Sequence, residues 1–182
     1  MDSHDRDKNG ASVHYNGDGV YWGKFNDEQK EWYEHTVRIM KDDGCWHVVF
    51  FAHIPVAAYN YAFNAAIKKE YSNACISTKE SYDGVYWNDG YKTSVGVKRE
   101  EICSNPNDKF LDTILKTGVW TTLVAGHNHI NNFIIDYKGT TFAYALKTGK
   151  GCYAAQDLNG GTVIKISDDG VKTYHEYVKT DE

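Results

Sequence analysis

Trp46-His47-Val48-Val49-Phe50-Phe51-Ala52-His53-Ile54-Pro55 is the stretch on which the fold turns. Its first seven residues are a continuous run of apolar and β-favouring side chains, the pattern of a strand buried on both faces. Upstream, Asn26 stands three residues before Gln29 in a capping-box arrangement, and Trp32, Tyr33, Val37 and Met40 follow at helical spacing. A helix is therefore expected from Asn26 to near Gly44. Downstream, Val56 to Lys69 is Ala-rich and expected to be helical in part. Asn107 to Lys116 predicts a further helix with Phe110, Leu111, Ile114 and Leu115 on one side, closed by a left-handed Gly118. Val119 to Ala125 predicts a second buried strand. Phe133–Tyr137 and Thr141–Leu146 flank Lys138-Gly139, and Gly161–Ser167 and Val171–Val178 flank Asp168-Asp169-Gly170, which predicts two hairpins. Asp2 to Gly23 reads as an irregular lead-in, and Tyr71 to Asn107 as a long aperiodic stretch, either an insertion over a site or a region whose elements carry no legible period. Helix, buried strand, helix, buried strand and then hairpins make a mixed α/β sandwich the expected class.

The 182 residues suit one domain, and no repeat, low-complexity tract or linker divides them. Hydrophobic residues at 41% and charged residues at 25% exclude a disordered or coiled-coil chain. A net charge of −5 argues against nucleic acid or an anionic membrane as partner, because both require clustered Lys and Arg. An anionic substrate would need a local positive centre. No apolar run approaches the ~18–20 residues of a membrane span, and the start is polar rather than signal-like. Cys45, Cys75, Cys103 and Cys152 include no C-x-x-C pair, so a zinc ribbon or a redox dithiol is disfavoured; two disulfides and four buried thiols both stay open. The absence of an N-x-S/T sequon weighs against a glycosylated protein and leaves the compartment open.

Three histidines occupy equivalent places. His53 follows one buried strand directly, and His127 and His129 follow the other after Gly126. Ligands of open α/β sheets bind at that carboxyl edge. If the two strands are neighbours the imidazoles converge, and neutral imidazole is a common ligand for zinc, iron and similar ions. A metal centre fits better than a charge-relay triad, because no G-x-S-x-G elbow is present. Taken singly, each of these histidines has a structural alternative, a hydrogen-bonded residue at a strand end. His4, His14, His35, His47 and His175 lack the context and are expected at the surface or in packing.

Phe51-Ala52-His53-Ile54-Pro55-Val56, Val124-Ala125-Gly126-His127-Asn128-His129-Ile130-Asn131-Asn132-Phe133 and Lys147-Thr148-Gly149-Lys150-Gly151-Cys152-Tyr153 together resemble the second half of the calcineurin-like metallophosphoesterases. The nearest group is the plant and fungal purple-acid-phosphatase-like proteins. Gln29-x-x-Trp32-Tyr33, Gly96-Val97 with Glu101-Ile102, and Asp157 to Val163 extend the likeness over nearly the whole chain. The resemblance implies a metal-dependent phosphoric ester hydrolase, with residues 1–182 as the carboxyl-terminal portion of an αββα sandwich. It implies two metal ions (zinc, manganese or iron) at the strand ends, with His53 and His127 on one ion and His129 on the other. Two ions acidify a shared water and hold the oxygens of an in-line displacement at phosphorus.

The family's first-half motifs, D-x-H, GD with a bridging aspartate, and GNH with the general acid, have no assigned counterpart. Asp2-Ser3-His4 is a D-x-H by letters, but the helix carrying Gln29 and Trp32 follows it too soon. A missing amino-terminal half is therefore expected, so this chain alone should hold at most one ion. No catalytic residue is assigned. The expected partners are a phosphorylated substrate and either the missing half or a second copy, since half a sandwich leaves apolar surface uncovered. The alternative is a truncated or catalytically silent phosphoesterase-like module that binds one metal or a partner. Ala57-Ala58, Asn128 and Asn132 stand where the family often has Pro-Glu, Asp and Asp, which removes negative charge near the metals. Asn128 and Asn131 have the alternative role of satisfying turn backbone. Tyr82, Tyr86, Trp87 and Tyr91 suit either stacking on an organic leaving group or a small satellite core. Trp46, Trp120 and Phe133 are expected in the core, and Lys98, Arg99, Lys147 and Lys150 at the solvated surface.

Overall fold

The computed structural model describes residues 13–15, 19–66, 96–149 and 151–178. Two short strands, β1 (Val13–Tyr15) and β2 (Gly19–Tyr21), pair antiparallel where the sequence reads as irregular; three residues are too few to display a period of two. Helix α1 (Asp27–Asp42) begins as expected. The Asn26 side chain accepts from the Gln29 amide at 2.8 Å, and the Gln29 side chain accepts from the Asn26 amide at 3.0 Å. Of its four apolar positions, Tyr33 and Val37 are buried, whereas Trp32 and Met40 are exposed.

The chain then runs through β3 (His47–Ala52), α2 (Ala58–Ala66), α3 (Phe110–Thr117) and β4 (Trp120–Ala125). Gly118 closes α3 with φ of 62°, the left-handed C-terminal residue expected of it. The hairpin β5 (Ile134–Tyr137) and β6 (Thr140–Tyr144) turns through Lys138 and Gly139, both at positive φ. The second hairpin is β7 (Gly160–Ser167) and β8 (Gly170–Tyr177). The order β3-β4-β6-β5 makes a four-stranded mixed sheet in which β3, β4 and β6 are parallel and β5 is antiparallel. This is an α/β fold.

One face of this sheet is packed by the helices. Phe25, Tyr33, Phe50 and Phe110 interlock with ring centroids 4.5–5.7 Å apart, and Tyr59, Phe133, Phe142 and Tyr144 form a second group at 4.9–6.0 Å. The buried Tyr59 hydroxyl donates to the carbonyls of Leu123 and Ala143, tying α2 to the middle strands. The other face carries Val124, Ile134 and Ala143 with Val49, Ala145 and Ile164 of β7. A groove of about 880 Å³ lies along it, lined in part by Trp46, His47, Trp120 and Tyr174.

That second face corrects three expectations. Among the described residues β3 is an edge strand rather than one buried on both faces, and Phe51 is 60% exposed. Trp46 and Trp120 are 58% and 39% exposed, while Phe133 is in the core as expected. Among the basic residues, Lys98 is buried rather than solvated, and Arg99 makes a two-pronged ion pair with Asp157 at 2.7 and 2.8 Å. Cys45, Cys103 and Cys152 are free thiols, which excludes two disulfides among the four cysteines, and Cys152 is exposed, so the four are not all buried thiols either. The expectations for Tyr82, Tyr86, Trp87, Tyr91, Cys75, Lys150 and His4 fall outside the described residues.

Candidate functional site

Parallel pairing of β3 with β4 sets Ala52 opposite Ala125, so the residues that follow, His53 and Gly126-His127, leave the sheet side by side. The Gly126 amide extends the ladder one step by donating to the His53 carbonyl at 3.1 Å. Ile54, Pro55 and Val56 are buried and pin the β3 exit, which leaves His53 exposed above it. After β4, the Asn128 amide donates to the Gly126 carbonyl at 2.7 Å across His127, whose φ is 65°. This closes a γ-turn in its rare positive-φ form. Backbone strain here therefore sits on His127 itself. A Cβ on Gly126 would meet His53 only at ordinary contact distance, so the glycine is not what brings the rings together. Non-glycine residues at positive φ cost free energy and concentrate at functional sites.

The consequence is that His53 Nε2 and His127 Nδ1 lie 3.3 Å apart, with the ring planes at 85°. Two neutral imidazoles in this arrangement share one proton between two lone pairs. The same separation suits a cation in the proton's place, because nitrogens each ~2.0–2.1 Å from a tetrahedral ion stand roughly 3.3 Å apart. The pair thus fits a metal.

His129 is held differently. Its Nδ1 lies 2.9 Å from the Tyr153 carbonyl, an atom that only accepts, so Nδ1 carries the proton and Nε2 keeps its lone pair. The Tyr153 ring stacks on the imidazole at 4.4 Å and 28°. All three histidines border one cavity of about 260 Å³, whose wall is completed by Asn128 and the segment Ala145 to Gly149. Among the described residues, Lys147 belongs to that wall and no Asp or Glu does. Nor, among the described residues, does any group of three or more His, Cys, Asp or Glu side chains gather at one point, so His129 borders the cavity without joining the His53–His127 pair.

Buried amides support the histidine loop from behind. The Asn128 oxygen accepts from the Tyr144 hydroxyl at 2.8 Å, and its nitrogen donates to the Glu101 carbonyl at 2.6 Å. An aspartate there would set a carboxylate oxygen against that carbonyl. Asn131 accepts from the amides of Arg99 and Glu100, and Asn132 from the Val97 amide. Both Asn128 and Asn131 therefore satisfy loop backbone. Gly96, at φ of 107°, lets that segment run against β5, since a Cβ would stand 2.6 Å from the Phe133 Cα.

Sequence reasoning passed over four neighbours of the site. Trp22 meets the His127 ring edge-on at 4.2 Å, and the Cys103 thiol accepts from the Asn128 side chain at 3.3 Å; the aromatic pair Tyr21-Trp22 just before α1 is the only local signal of the ring contact. Burial pushes the Cys103 thiol up to about 11, so it is a protonated packing group and not a nucleophile. The Glu100 carboxylate accepts from the Tyr153 hydroxyl at 2.6 Å and from the Ile130 amide at 2.8 Å. Burial first, then Glu100, holds the Tyr153 phenol above its ordinary range, so it stays a donor. Comparison of the chain with family models, with curated proteins and with solved structures gives no match.

Proposed function

We propose that the chain is the carboxyl-terminal portion of a calcineurin-like phosphoesterase domain, one part of an αββα sandwich that hydrolyses phosphoric esters with bound metal ions. The observation that carries this reading is the 3.3 Å approach of His53 to His127 at the ends of adjacent parallel strands. His53 Nε2 and His127 Nδ1 would hold one ion, and His129, through its open Nε2, a second whose remaining ligands come from the missing half. The ions, zinc, manganese or iron, supply an acidified water and charge stabilisation at phosphorus. The chain's own part is to orient three imidazoles at one cavity whose described wall includes the cation Lys147 and the polar Asn128 and Thr148 and no carboxylate, groups that a phosphate could meet. The partly uncovered second face of the sheet supports the sandwich reading, because parallel sheets are normally covered on both faces.

The absence of any carboxylate among the described cavity residues favours a narrower reading for the 182-residue chain alone: a silent module that holds one ion through the His53–His127 pair. Calorimetric titration with zinc or manganese tests both. One ion per chain is expected, lost in His53→Ala and in His127→Ala, with no turnover of a chromogenic phosphate monoester. Two ions with turnover would overturn the incompleteness of the chain. Binding that survives both substitutions would overturn the metal site. Upstream of Met1, the reading frame is expected to encode D-x-H, GD and GNH in that order.

A further inference from the structure

We infer that Glu100 and Tyr153 are a positioning pair for His129, a clamp that selects which imidazole nitrogen faces the cavity; its consequence for metal binding rests on the function proposed above. The two residues come from separate segments and reach His129 from both sides. Glu100 divides its carboxylate: Oε1 takes the Ile130 amide, next in chain to His129, and Oε2 takes the Tyr153 hydroxyl. Tyr153 then contributes twice. Its carbonyl accepts the Nδ1 proton, and its ring lies against the imidazole plane. A histidine side chain has two torsions to settle and two neutral tautomers to choose between. Here the stack settles the plane, the carbonyl settles the tautomer, and the Ile130 amide bond holds the backbone from which the side chain springs.

The geometry is costly enough to require a reason. Tyr153 is 52% exposed, so its ring buries little area for the ordering it undergoes, and Cys152 before it sits at a positive φ of 62°. Glu100 binds inside the chain with both oxygens, at 2.6 and 2.8 Å, the short range of charge-assisted bonds. What these contacts have in common is His129. The Arg99–Asp157 pair lies beside the clamp and ties the same two segments together, which keeps Glu100 and Tyr153 within reach.

Glu100→Ala removes both bonds, Tyr153→Phe removes one and keeps ring and carbonyl, and Glu100→Gln retains one oxygen for the Ile130 amide and one N–H for the tyrosine oxygen. Long-range proton–nitrogen correlation NMR on the metal-free chain reads the His129 tautomer directly. Wild type is expected to be protonated at Nδ1, Glu100→Ala to shift toward protonation at Nε2, and Glu100→Gln to return toward wild type. Zinc at the His53–His127 pair, read by competition with a chromophoric chelator, should be unchanged in Glu100→Ala and in Tyr153→Phe, because His129 stands apart from that pair. An unchanged His129 tautomer in Glu100→Ala would overturn the clamp. A shifted tautomer with zinc binding that is indifferent to all three histidines would leave the clamp standing and sink the metal reading. Should Glu100→Ala fail to fold, Tyr153→Ala removes the ring stack and the hydroxyl anchor to Glu100 together, and a His129 tautomer unmoved by it would overturn the clamp in the same way.

Discussion

The two faces of the four-stranded sheet are built from the same strands and meet opposite fates. Toward the helices, Val48, Phe50, Leu123, Ala125, Phe142 and Tyr144 are buried in an aromatic lattice closed by Phe25, Tyr33, Phe110 and Tyr59. Away from them, Val49, Val124, Ile134 and Ala143 pack, among the described residues, with Ala145 and Ile164, and the rim holds Trp46, Phe51 and Trp120 in solvent. The packed face fixes the strand ends, and with them the histidines. The second face is buried at its centre, where Ile164 of β7 packs on it, and keeps an exposed apolar rim, which is compatible with the sandwich proposed above.

The sharpest way to break this contrast is to open the packed face. Phe110 is fully buried and touches the rings of Phe25, Tyr33 and Phe50 at 4.5, 5.0 and 5.2 Å. Phe110→Ala is expected to cost about 3–5 kcal/mol, through lost transfer free energy and the cavity left behind. Urea unfolding measures it. A cost near 1 kcal/mol would mean the lattice is no better packed than the open side.

A second test uses a carboxyl buried beneath that face. Asp108 accepts from the Phe110 amide at 2.7 Å, and burial pushes it up to about 6, with Lys30 and Lys24 only partly opposing. Between pH ~4 and ~6 the folded chain keeps a proton that the unfolded chain has released. Stability contributed by this group is therefore present at acid pH and is lost as pH rises through that window, by up to about 3 kcal/mol at roughly 1.4 kcal/mol per pH unit. Asp108→Asn keeps an acceptor for the amide and should flatten the slope, leaving the variant more stable than wild type at pH 7. Parallel pH–stability curves for the two proteins would show that Asp108 is hydrated and the packed face less dry than it looks.

What was legible in the sequence follows the range of the physics involved. The capping box of α1, the left-handed Gly118 and both hairpins are set by residues a few positions apart, and they stand where expected. The approach of His53 to His127 needed one added premise, that β3 and β4 are neighbours, which the topology supplies. Edge position, however, leaves no local mark. His47 to Ala52 reads as a doubly buried strand because a continuous apolar run reports composition and not the number of neighbours, so Phe51 reads as deeper than it lies, and Trp46 and Trp120, at the strand starts, read as core although both stand at the margin of the sheet. The clamp is invisible in the sequence for a related reason: Glu100 and Tyr153 are 53 positions apart, and no spacing rule joins them. Lys98, too, reads as an ordinary surface cation, yet it is buried where its segment makes an isolated bridge to Asn131.

The smallest expected effect on stability is on the open face, and it is the most discriminating. Phe51 projects from the β3 edge with 60% of its surface in water, so little burial is lost when the ring is removed, and threonine suits a strand equally well. Phe51→Thr should therefore change unfolding free energy by no more than about 0.5 kcal/mol. Its consequence should appear between molecules instead. An uncharged edge strand that holds the Phe51 ring in water is a surface that soluble chains usually cover or charge. Sedimentation velocity on wild type and variant at matched concentration should show self-association reduced in Phe51→Thr. A loss of about 2 kcal/mol or more would mean that the ring is covered within the chain, and the contrast between the two faces would collapse into one core.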